Sequence, residues 1–314
     1  MILISSQEDD FSTYEVMRYF KYLKVPFCRI NQEDIIEISE INLETDNICI
    51  KINNQAFSFK EINSFWYRRG YFNINNNKED KTLAIESAAI NSYIFDYLNK
   101  KTYNINSYNN SKVNKLTVLN IARQHGLKIP YTIISGRKEV VDVFLTKKSD
   151  VITKTIAVQL NFKKDGFLYI GYTELLDKKV MESFGGSFFP SLLQTNIQKR
   201  YEVRSFLLEN EFYSMAIFSQ SNPKTNIDFR KYDSEKPNRC VPYKLPSEIQ
   251  IKLRNIFEEL DLNSGSADLI VDINNNFYFL EINPVGQFGM VSKPCNYHLE
   301  RQIADLLIKN DKKQ

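Results

Sequence analysis

Histidine and cysteine are scarce in this chain of 314 residues, and their scarcity excludes several kinds of site. The two histidines, His125 and His298, are too few for a histidine-based metal centre, and the four cysteines form neither a C-x-x-C pair nor a zinc-ligand spacing. Scattered cysteines favour reduced thiols over a disulfide framework. Because no histidine partner is implied for Cys295, we expect a packed thiol there and not a nucleophile.

Long apolar runs and a large net charge are also absent. No stretch reaches the roughly 18 apolar residues that a membrane span requires. The N-terminal segment becomes acidic at Glu8 without the basic start and long apolar core of a signal peptide. The net charge of +3 comes without a basic stripe, which argues against nucleic acid as the main partner. We therefore expect a cytoplasmic protein with neither a membrane nor a nucleic-acid partner.

What the sequence does contain is an acidic hairpin pattern near its C-terminal end. Residues 267–272 and 277–283 alternate apolar and polar side chains, which predicts two strands. The asparagines between them predict a tight turn, because asparagine tolerates a positive φ. We take the loop to be the two residues Asn274 and Asn275. A loop of three residues would shift the register of the two strands.

With the two-residue loop, Asp268 lies directly opposite Glu281, and Asn283 shares their face because side chains repeat every two residues. Two opposed carboxylates destabilise a sheet unless something neutralises them. These three side chains offer only oxygen ligands, the set that suits Mg²⁺. The pattern predicts a site for phosphate and metal, although a hairpin with a plain polar face also explains it. The other face is expected to enter the core through Ala267, Leu269, Val271, Tyr278, Leu280 and Ile282.

The segment LEINPVGQF, with an aspartate thirteen positions before its glutamate, resembles the C-terminal metal signature of the ATP-grasp ligases. Within that superfamily the chain is similar to the peptide maturases that make graspetides, the microviridin-type ω-ester and ω-amide peptides. The segment KPCNYHLE most resembles the grasp-with-spasm subgroup. The resemblance implies an α/β ATP-grasp fold in which two lobes clamp ATP. It divides the chain into an N-terminal pre-ATP-grasp domain (1–110), a central and lid subdomain (111–193) and a C-terminal catalytic subdomain (194–314).

The resemblance also implies a role for individual residues, with ATP and Mg²⁺ as cofactors. Nucleotide phosphates would be contacted by Lys115 and Lys154, and adenine would be bound at a hinge by Gln194, Asn196 and Ile197. Ribose hydroxyls would be bound by Glu202, and the phosphates or the acyl group would be faced by Arg204 and Arg230. Mg²⁺ would be held by Asp268, Glu281 and Asn283.

Plainer interpretations of the same residues stay open. Lys115 begins a predicted helix, where a lysine is usually a solvated surface charge. Lys154 lies in a predicted strand over 151–158, where a long ammonium favours an anion nearby. Glu202 and Arg204 are two residues apart on one strand, so they share a face and are expected to form an ion pair. Arg230 could be an ordinary loop arginine.

The segment SFWYRRG, residues 64–70, resembles a W-x-R-R segment of the same family. It predicts that Arg68 or Arg69 faces the cleft. Adjacent residues of a strand point to opposite faces, so at most one of the two arginines is expected to do so.

The implied activity is a ligation. ATP phosphorylates an Asp or Glu side chain of a precursor peptide, and a Ser/Thr hydroxyl or Lys amine of that peptide closes an ester or amide ring. The expected partners are the leader and core of the precursor, a SPASM-domain protein and a second copy of the chain in a homodimer. Two alternatives stay open: another ATP-grasp carboxylate–amine ligase, such as one adding glutamate to a protein tail, or a nucleotide-binding or peptide-binding module without catalysis.

Overall fold

The computed structural model describes residues 1–52, 55–74, 80–148, 150–157, 161–183 and 185–312. Helices and strands are mixed along these residues, as the predicted α/β class requires. No helix among them is both long enough and apolar enough to span a membrane.

The first region of the chain forms a parallel sheet beside a small antiparallel one. Its elements are β1 (Ile2–Ser6), α1 (Phe11–Tyr22), β2 (Phe27–Asn31), β3 (Glu37–Asn42), β4 (Asn47–Ile52), β5 (Gln55–Ser58), β6 (Ser64–Tyr67), α2 (Lys81–Lys101) and β7 (Tyr103–Ile105). The parallel sheet has the order β2-β1-β6-β7, and the antiparallel sheet has the order β3-β4-β5. The β-α-β opening is what alternation of apolar strands with an amphipathic helix produces.

The middle region forms a second, antiparallel sheet. Its elements are α3 (Lys115–Gln124), β8 (Thr132–Arg137), α4 (Lys138–Lys147), β9 (Val151–Lys154), β10 (Asn161–Lys164), β11 (Phe167–Ile170), β12 (Glu174–Leu175), α5 (Lys178–Glu182) and β13 (Ser187–Thr195). The sheet has the order β12-β9-β13-β8, and β10 and β11 form a separate hairpin. The strand predicted over 151–158 ends at Lys154, and Val158 lies outside the described residues.

The last region forms the antiparallel sheet that carries the predicted acidic hairpin. Its elements are β14 (Lys199–Leu208), β15 (Glu211–Phe218), β16 (Arg239–Tyr243), α6 (Ser247–Glu259), β17 (Ser264–Asp272), β18 (Phe277–Asn283), α7 (Gly289–Cys295) and α8 (Leu299–Asp311). The strand order is β16-β15-β14-β17-β18. Residues 196–198 join this sheet to the middle one. The division at residues 110 and 193 stays a prediction, and β13 crosses the second of these positions.

Several apolar layers hold these sheets, and two of them join different regions of the chain. Helices α3 and α6 cover one face of the last sheet, where Val203, Leu253, Phe257 and Leu269 are buried together. Helix α8 returns to the first sheet, so that a second layer combines residues from both ends of the chain: Ile2, Ile4, Trp66, Leu299, Ile303 and Leu307. Ser64 Oγ in β6 donates a hydrogen bond of 2.9 Å to the carbonyl oxygen of Leu307 in α8.

The turn between β17 and β18 is longer than predicted. Asp272 N donates to Asn276 O at 3.0 Å, so the loop holds the three residues 273–275. Asn275 has φ 63°, and the Asp272 carboxylate accepts backbone hydrogen bonds from Asn274 and Asn276. The two-residue loop was therefore wrong. A side chain that accepts bonds from the backbone ahead of it favours this wider turn.

A β-bulge in β18 restores the predicted register. Leu269 faces Phe279, but Asp268 faces Glu281, so Leu280 is the extra residue in β18. The longer loop shifts the register by one residue, and the bulge shifts it back. The predicted opposition of Asp268 and Glu281 is therefore confirmed. The predicted core face is confirmed in β17 and at Ile282, but it is wrong at Tyr278 and Leu280, which are only partly buried, while Phe279 is fully buried.

The bulge predicts an unequal cost of two alanine substitutions. Phe279→Ala should lower the free energy of unfolding by about 3–5 kcal/mol, as expected for a buried phenylalanine. Leu280→Ala should cost under about 1.5 kcal/mol because Leu280 is only partly buried. Denaturant unfolding followed by circular dichroism measures both values. A larger cost at Leu280 than at Phe279 would contradict the bulge.

Candidate nucleotide and metal site

A row of charged side chains crosses the last sheet on the face opposite its core. Arg204 in β14, Asp268 in β17 and Glu281 in β18 are cross-strand neighbours. Arg204 Nε lies 3.5 Å from Asp268 Oδ1. The Asp268 side chain is 14% exposed, and its Oδ1 has no hydrogen-bond partner among the described residues. A buried carboxylate oxygen without a hydrogen bond is costly, so this position favours a cationic ligand.

The two carboxylates differ in their titration. Burial, assisted by the charge of Glu281 and opposed by Arg204, raises the pKa of Asp268 to about 6. Burial also raises the pKa of Glu281, but Lys115 and Lys154 outweigh it, so this pKa is below the usual value. Glu281 therefore stays ionised to a lower pH than Asp268 does, and a carboxylate must be ionised to bind a metal.

The oxygen donors of this hairpin fit Mg²⁺. Asp268 and Glu281 supply two carboxylates, and Asn283 ends β18 with an exposed side chain. Among the described residues there is no group of three or more His, Cys, Asp or Glu that could hold a metal. Mg²⁺ commonly takes one or two carboxylates and fills the other positions with water and phosphate oxygens. The donor set therefore suits a metal that shares its ligands with a bound nucleotide.

Two lysines from the middle region reach the acidic row. Lys115, the first residue of α3, places Nζ 3.0 Å from Glu281 Oε2 and 3.0 Å from the carbonyl oxygen of Thr155. The solvated-surface interpretation of Lys115 is therefore wrong. Lys154 ends β9, and burial lowers its pKa to about 8, although Glu281 counteracts this effect. The candidate site lies between the middle and last sheets, with the two lysines on one side and the carboxylates on the other.

Arg230 lies in the connection between β15 and β16 and is held by Asp228. Arg230 Nε donates to Asp228 Oδ1 at 2.8 Å, and Nη2 donates to Oδ2, which makes a two-point contact. Asp228 also accepts hydrogen bonds from the backbone nitrogens of Thr173 (2.9 Å) and Arg230 (3.0 Å). Burial raises the Asp228 pKa, but the Arg230 guanidinium and these bonds hold it below its usual value. The arginine is thus fixed and charged.

The predicted ion pair between Glu202 and Arg204 is wrong, although both residues lie on one face of β14. Glu202 Oε1 is 2.6 Å from Lys199 Nζ, and Glu202 Oε2 accepts a hydrogen bond of 3.2 Å from Ser219. Arg204 pairs with Asp268 on the neighbouring strand. Burial raises the pKa of Glu202 to about 7 against the opposing charge of Lys199.

The predicted adenine residues lie at the junction of the two sheets. Gln194 in β13 is fully buried; its Nε2 donates to Thr132 Oγ1 at 2.8 Å, and its Oε1 has no partner among the described residues. Asn196 donates its backbone N–H to Asp150 O at 2.9 Å, and Ile197 is partly buried. These residues border the connection between the two lobes.

Sequence reasoning assigned no role to Lys199 and Asp228. The D-x-R spacing of Asp228 and Arg230 could have suggested their contact, whereas the partner of Glu202 depends on the local path of β14. Cys295 is buried, and burial raises its pKa to about 11, which confirms a packed thiol.

Comparisons with solved structures identify the fold. The RiPP-associated ATP-grasp ligase of Chryseobacterium gregarium, in complex with ADP and a leader and core peptide, is 24% identical with a TM-score of 0.83, over 98% of this chain and 96% of that one. The macrocyclase MdnC of Microcystis aeruginosa MRC, bound with precursor peptide MdnA, is 22% identical with a TM-score of 0.80. This match covers 98% of this chain and 100% of that one. The ATP-grasp ligase PsnB, complexed with a phosphomimetic variant of a minimal precursor, Mg and ADP, is 18% identical with a TM-score of 0.77. This match covers 99% of this chain and 98% of that one.

No protein-family model and no curated protein matches the chain. The structural likeness extends over nearly the whole length of both chains in each comparison. The chain therefore has the ATP-grasp fold, which confirms the predicted fold class.

Proposed function

We propose that the chain is an ATP- and Mg²⁺-dependent, ADP-forming ligase that closes ester or amide rings in a precursor peptide. The observation that carries this proposal is the in-register pair Asp268 and Glu281, with Lys115, Lys154 and Arg230 around it. A surface hairpin does not require two opposed, partly buried carboxylates, and cations that converge on them suit a triphosphate and its metal. The precursor complexes of the similar structures support a peptide as the substrate.

The protein side chains divide the work of binding. Asp268, Glu281 and Asn283 would hold Mg²⁺, which when bound offsets the negative charge of the phosphates. Lys115 and Lys154 contact those phosphates. Each of these assignments predicts that substitution of the residue weakens the binding of ATP or of Mg²⁺.

The nucleotide base and sugar bind at the junction of the lobes. Gln194, Asn196 and Ile197 border adenine, and the buried Oε1 of Gln194, which lacks a partner among the described residues, is an acceptor suited to an exocyclic amine. Glu202 receives the ribose hydroxyls. Its two oxygens already accept hydrogen bonds from Lys199 and Ser219, and a carboxylate has further acceptor sites for hydroxyl groups.

The chemistry is two displacements. A side-chain carboxylate oxygen of the peptide attacks the γ-phosphorus of ATP, the bond to the bridging oxygen breaks, and ADP leaves. A hydroxyl oxygen or amine nitrogen of the same peptide then attacks the carbonyl carbon, phosphate leaves, and the nucleophile loses its proton. Arg230, held by Asp228, and Arg204 stabilise the charge that develops on the transferring group. Positioning and electrostatics carry the reaction without a covalent protein intermediate.

The finer parts of the assignment are proposals about partners. We propose that the leader and core of the precursor both bind this chain, that a SPASM-domain protein works beside it, that the protein forms a homodimer, and that it acts in the cytoplasm before the peptide is exported. A precursor gene beside a SPASM-domain gene would support this arrangement. Size-exclusion chromatography with light scattering tests the dimer.

The pKa of Lys154 predicts the pH dependence of ATP use. As the pH rises through about 8, the ammonium loses its proton and its attraction for phosphate, so kcat/KM for ATP should fall about tenfold per pH unit. Lys154→Arg keeps its charge at high pH and should flatten the alkaline limb even if its absolute rate is lower. Steady-state kinetics from about pH 6 to 10 measure both profiles. If the alkaline limb is unchanged in the arginine variant, the fall in kcat/KM at high pH comes from the titration of another group.

The experiment that tests the function is the intact mass of a candidate precursor after incubation with the protein, ATP and Mg²⁺. Loss of one water per ring, with matching ADP release, is the expected result, and hydroxide lability separates esters from amides. An unchanged precursor with ATP consumed indicates another acceptor, such as a protein tail. An unchanged precursor with no ATP consumed, in the presence of the SPASM-domain protein, favours a binding module.

A further inference from the structure

The loop that follows the predicted metal strand is held by the first region of the chain. The carbonyl oxygen of Pro284 accepts a hydrogen bond of 3.1 Å from Asn106 Nδ2. The carbonyl oxygen of Gly286 accepts one of 3.4 Å from Arg68 Nη1. Both bonds fall within three residues of Asn283, so the backbone that ends β18 is anchored from outside its own sheet.

Gly286 also shows how closely this loop packs. A Cβ at Gly286 would lie 2.2 Å from Ser266 Oγ and 2.9 Å from Ser266 N. Ser266 is the cross-strand partner of Asn283. The loop thus lies directly against the strand pair that carries the acidic residues, and a shift of the loop would be transmitted to Asn283.

Arg68 is an unusual residue to find at this position. It is 2% exposed, and its guanidinium lies over the rings of Trp66 and Phe288, at 5.4 and 5.2 Å from their centroids. Its Nε is 3.3 Å from Asp10 Oδ2. A buried ion pair contributes little net stability compared with apolar side chains of the same volume. The stability of the fold alone therefore does not explain an arginine here.

The hydrogen bonds of Arg68 suggest what it does. Its Nε and Nη2 have no hydrogen-bond partner among the described residues, so the carbonyl of Gly286 is the acceptor that its guanidinium finds there. Strand β6 ends at Tyr67, so strand alternation does not decide the direction of the two arginines that follow. Arg68 is buried under the loop, whereas the side chain of Arg69 is 35% exposed and lies 3.7 Å from Asp10.

We propose that Arg68, together with Asn106, is a positioning residue for the metal site, acting on Asn283 and Glu281 through the backbone of residues 284–286. This inference rests on the proposed function, because it presupposes that the hairpin binds a divalent cation. Residues that orient metal ligands without touching the metal commonly change metal affinity 10–100-fold when they are replaced. The first region of the chain thereby takes part in a site whose ligands all lie in the last sheet.

The test removes the arginine without leaving a buried charge unpaired. In the double variant Asp10→Asn/Arg68→Met both members of the ion pair are replaced. Asparagine is as good an N-cap as the aspartate that now accepts from Ser12 N at the start of α1. Binding of Mn²⁺ in the presence of ADP is measured by isothermal titration calorimetry, and ADP binding is measured separately in EDTA. The expected result is a Kd for Mn²⁺ raised about tenfold or more, with the metal-free Kd for ADP within about twofold.

Three further variants complete the experiment. Arg69→Met is the matched control, since Arg69 is the neighbour of Arg68 in the sequence and also lies near Asp10. It should leave the Kd for Mn²⁺ and the Kd for ADP within about twofold of wild type. Arg68→Lys keeps a donor and should recover part of the Mn²⁺ affinity. Asn106→Gly tolerates the positive φ of 61° at that position and removes the bond to Pro284. It should weaken Mn²⁺ binding in the same way, and it replaces the double variant if that protein does not fold.

Glu281→Gln distinguishes a failure of the positioning role from a failure of the metal assignment itself. If Glu281→Gln weakens Mn²⁺ binding but neither Asp10→Asn/Arg68→Met nor Asn106→Gly does, the positioning role is overturned and the metal site stands. A lower melting temperature with unchanged Mn²⁺ affinity has the same meaning. If Glu281→Gln itself leaves Mn²⁺ binding unchanged, the metal assignment is overturned, and the positioning role with it.

Discussion

Glu281→Gln should lower ATP-dependent turnover by on the order of 10³-fold. The amide is almost isosteric with the carboxylate but carries no charge, so at this position it binds Mg²⁺ more weakly than the carboxylate does. The substitution also removes the partner of Lys115 Nζ, now 3.0 Å away, and leaves Asp268 as the one carboxylate of the pair. Coupled detection of ADP release, with intact mass of the precursor as the second readout, measures the effect.

A surface glutamate of the same region provides the control for this substitution. Glu259 pairs with His125 at 2.7 Å on the protein surface, away from the acidic row. Glu259→Gln should leave turnover within about twofold of wild type, because exposed pairs contribute little. Wild-type turnover in Glu281→Gln would rule out the metal assignment, whereas equal losses in both variants would point to a general effect on folding.

Arg230→Lys should reduce kcat about 10²–10³-fold with a smaller change in KM for ATP. A lysine cannot make the two-point contact with Asp228, so its ammonium is not held where the guanidinium lies. An interaction that is made mainly in the transition state affects kcat more than ground-state binding. Steady-state kinetics with ATP as the varied substrate separate the two constants.

The neighbour of Arg230 is a suitable control. Lys231 belongs to the same connection but pairs with Glu174 and lies over the ring of Tyr172 at 5.6 Å. Lys231→Met should therefore have a minor effect on kcat. If Arg230→Lys raised KM while leaving kcat unchanged, Arg230 would serve nucleotide binding and not the transfer of the phosphoryl group.

The acidic hairpin could be predicted because its signal is local. Alternation with period two identifies the strands, and the opposition of Asp268 and Glu281 was predicted correctly. The loop length and the bulge at Leu280 could not be, since a run of asparagines allows loops of two or three residues. The two errors cancelled at Asp268 but not at Phe279, whose burial was missed.

Charged pairs that depend on neighbouring strands were harder to predict. The shared face of Glu202 and Arg204 follows from their spacing, but their partners depend on which strand lies beside β14. Strand β17 brings Asp268 to Arg204, and the start of β14 brings Lys199 to Glu202. Arg68 shows the same limit, because its contact with Gly286 joins residues that are 218 positions apart.

The return of α8 to the first sheet makes the order of synthesis matter. Strands β1, β6 and β7 leave the ribosome early, yet the apolar side chains of Ile303 and Leu307 that cover them follow about 200 residues after the end of β7. At ordinary elongation rates this delay lasts roughly 10–40 s, during which α8 does not yet cover the face around Ile2, Ile4 and Trp66. The nascent chain therefore exposes part of this apolar surface to chaperones until α8 has been synthesised, and ribosome pausing before the codons of α8 would prolong that exposure.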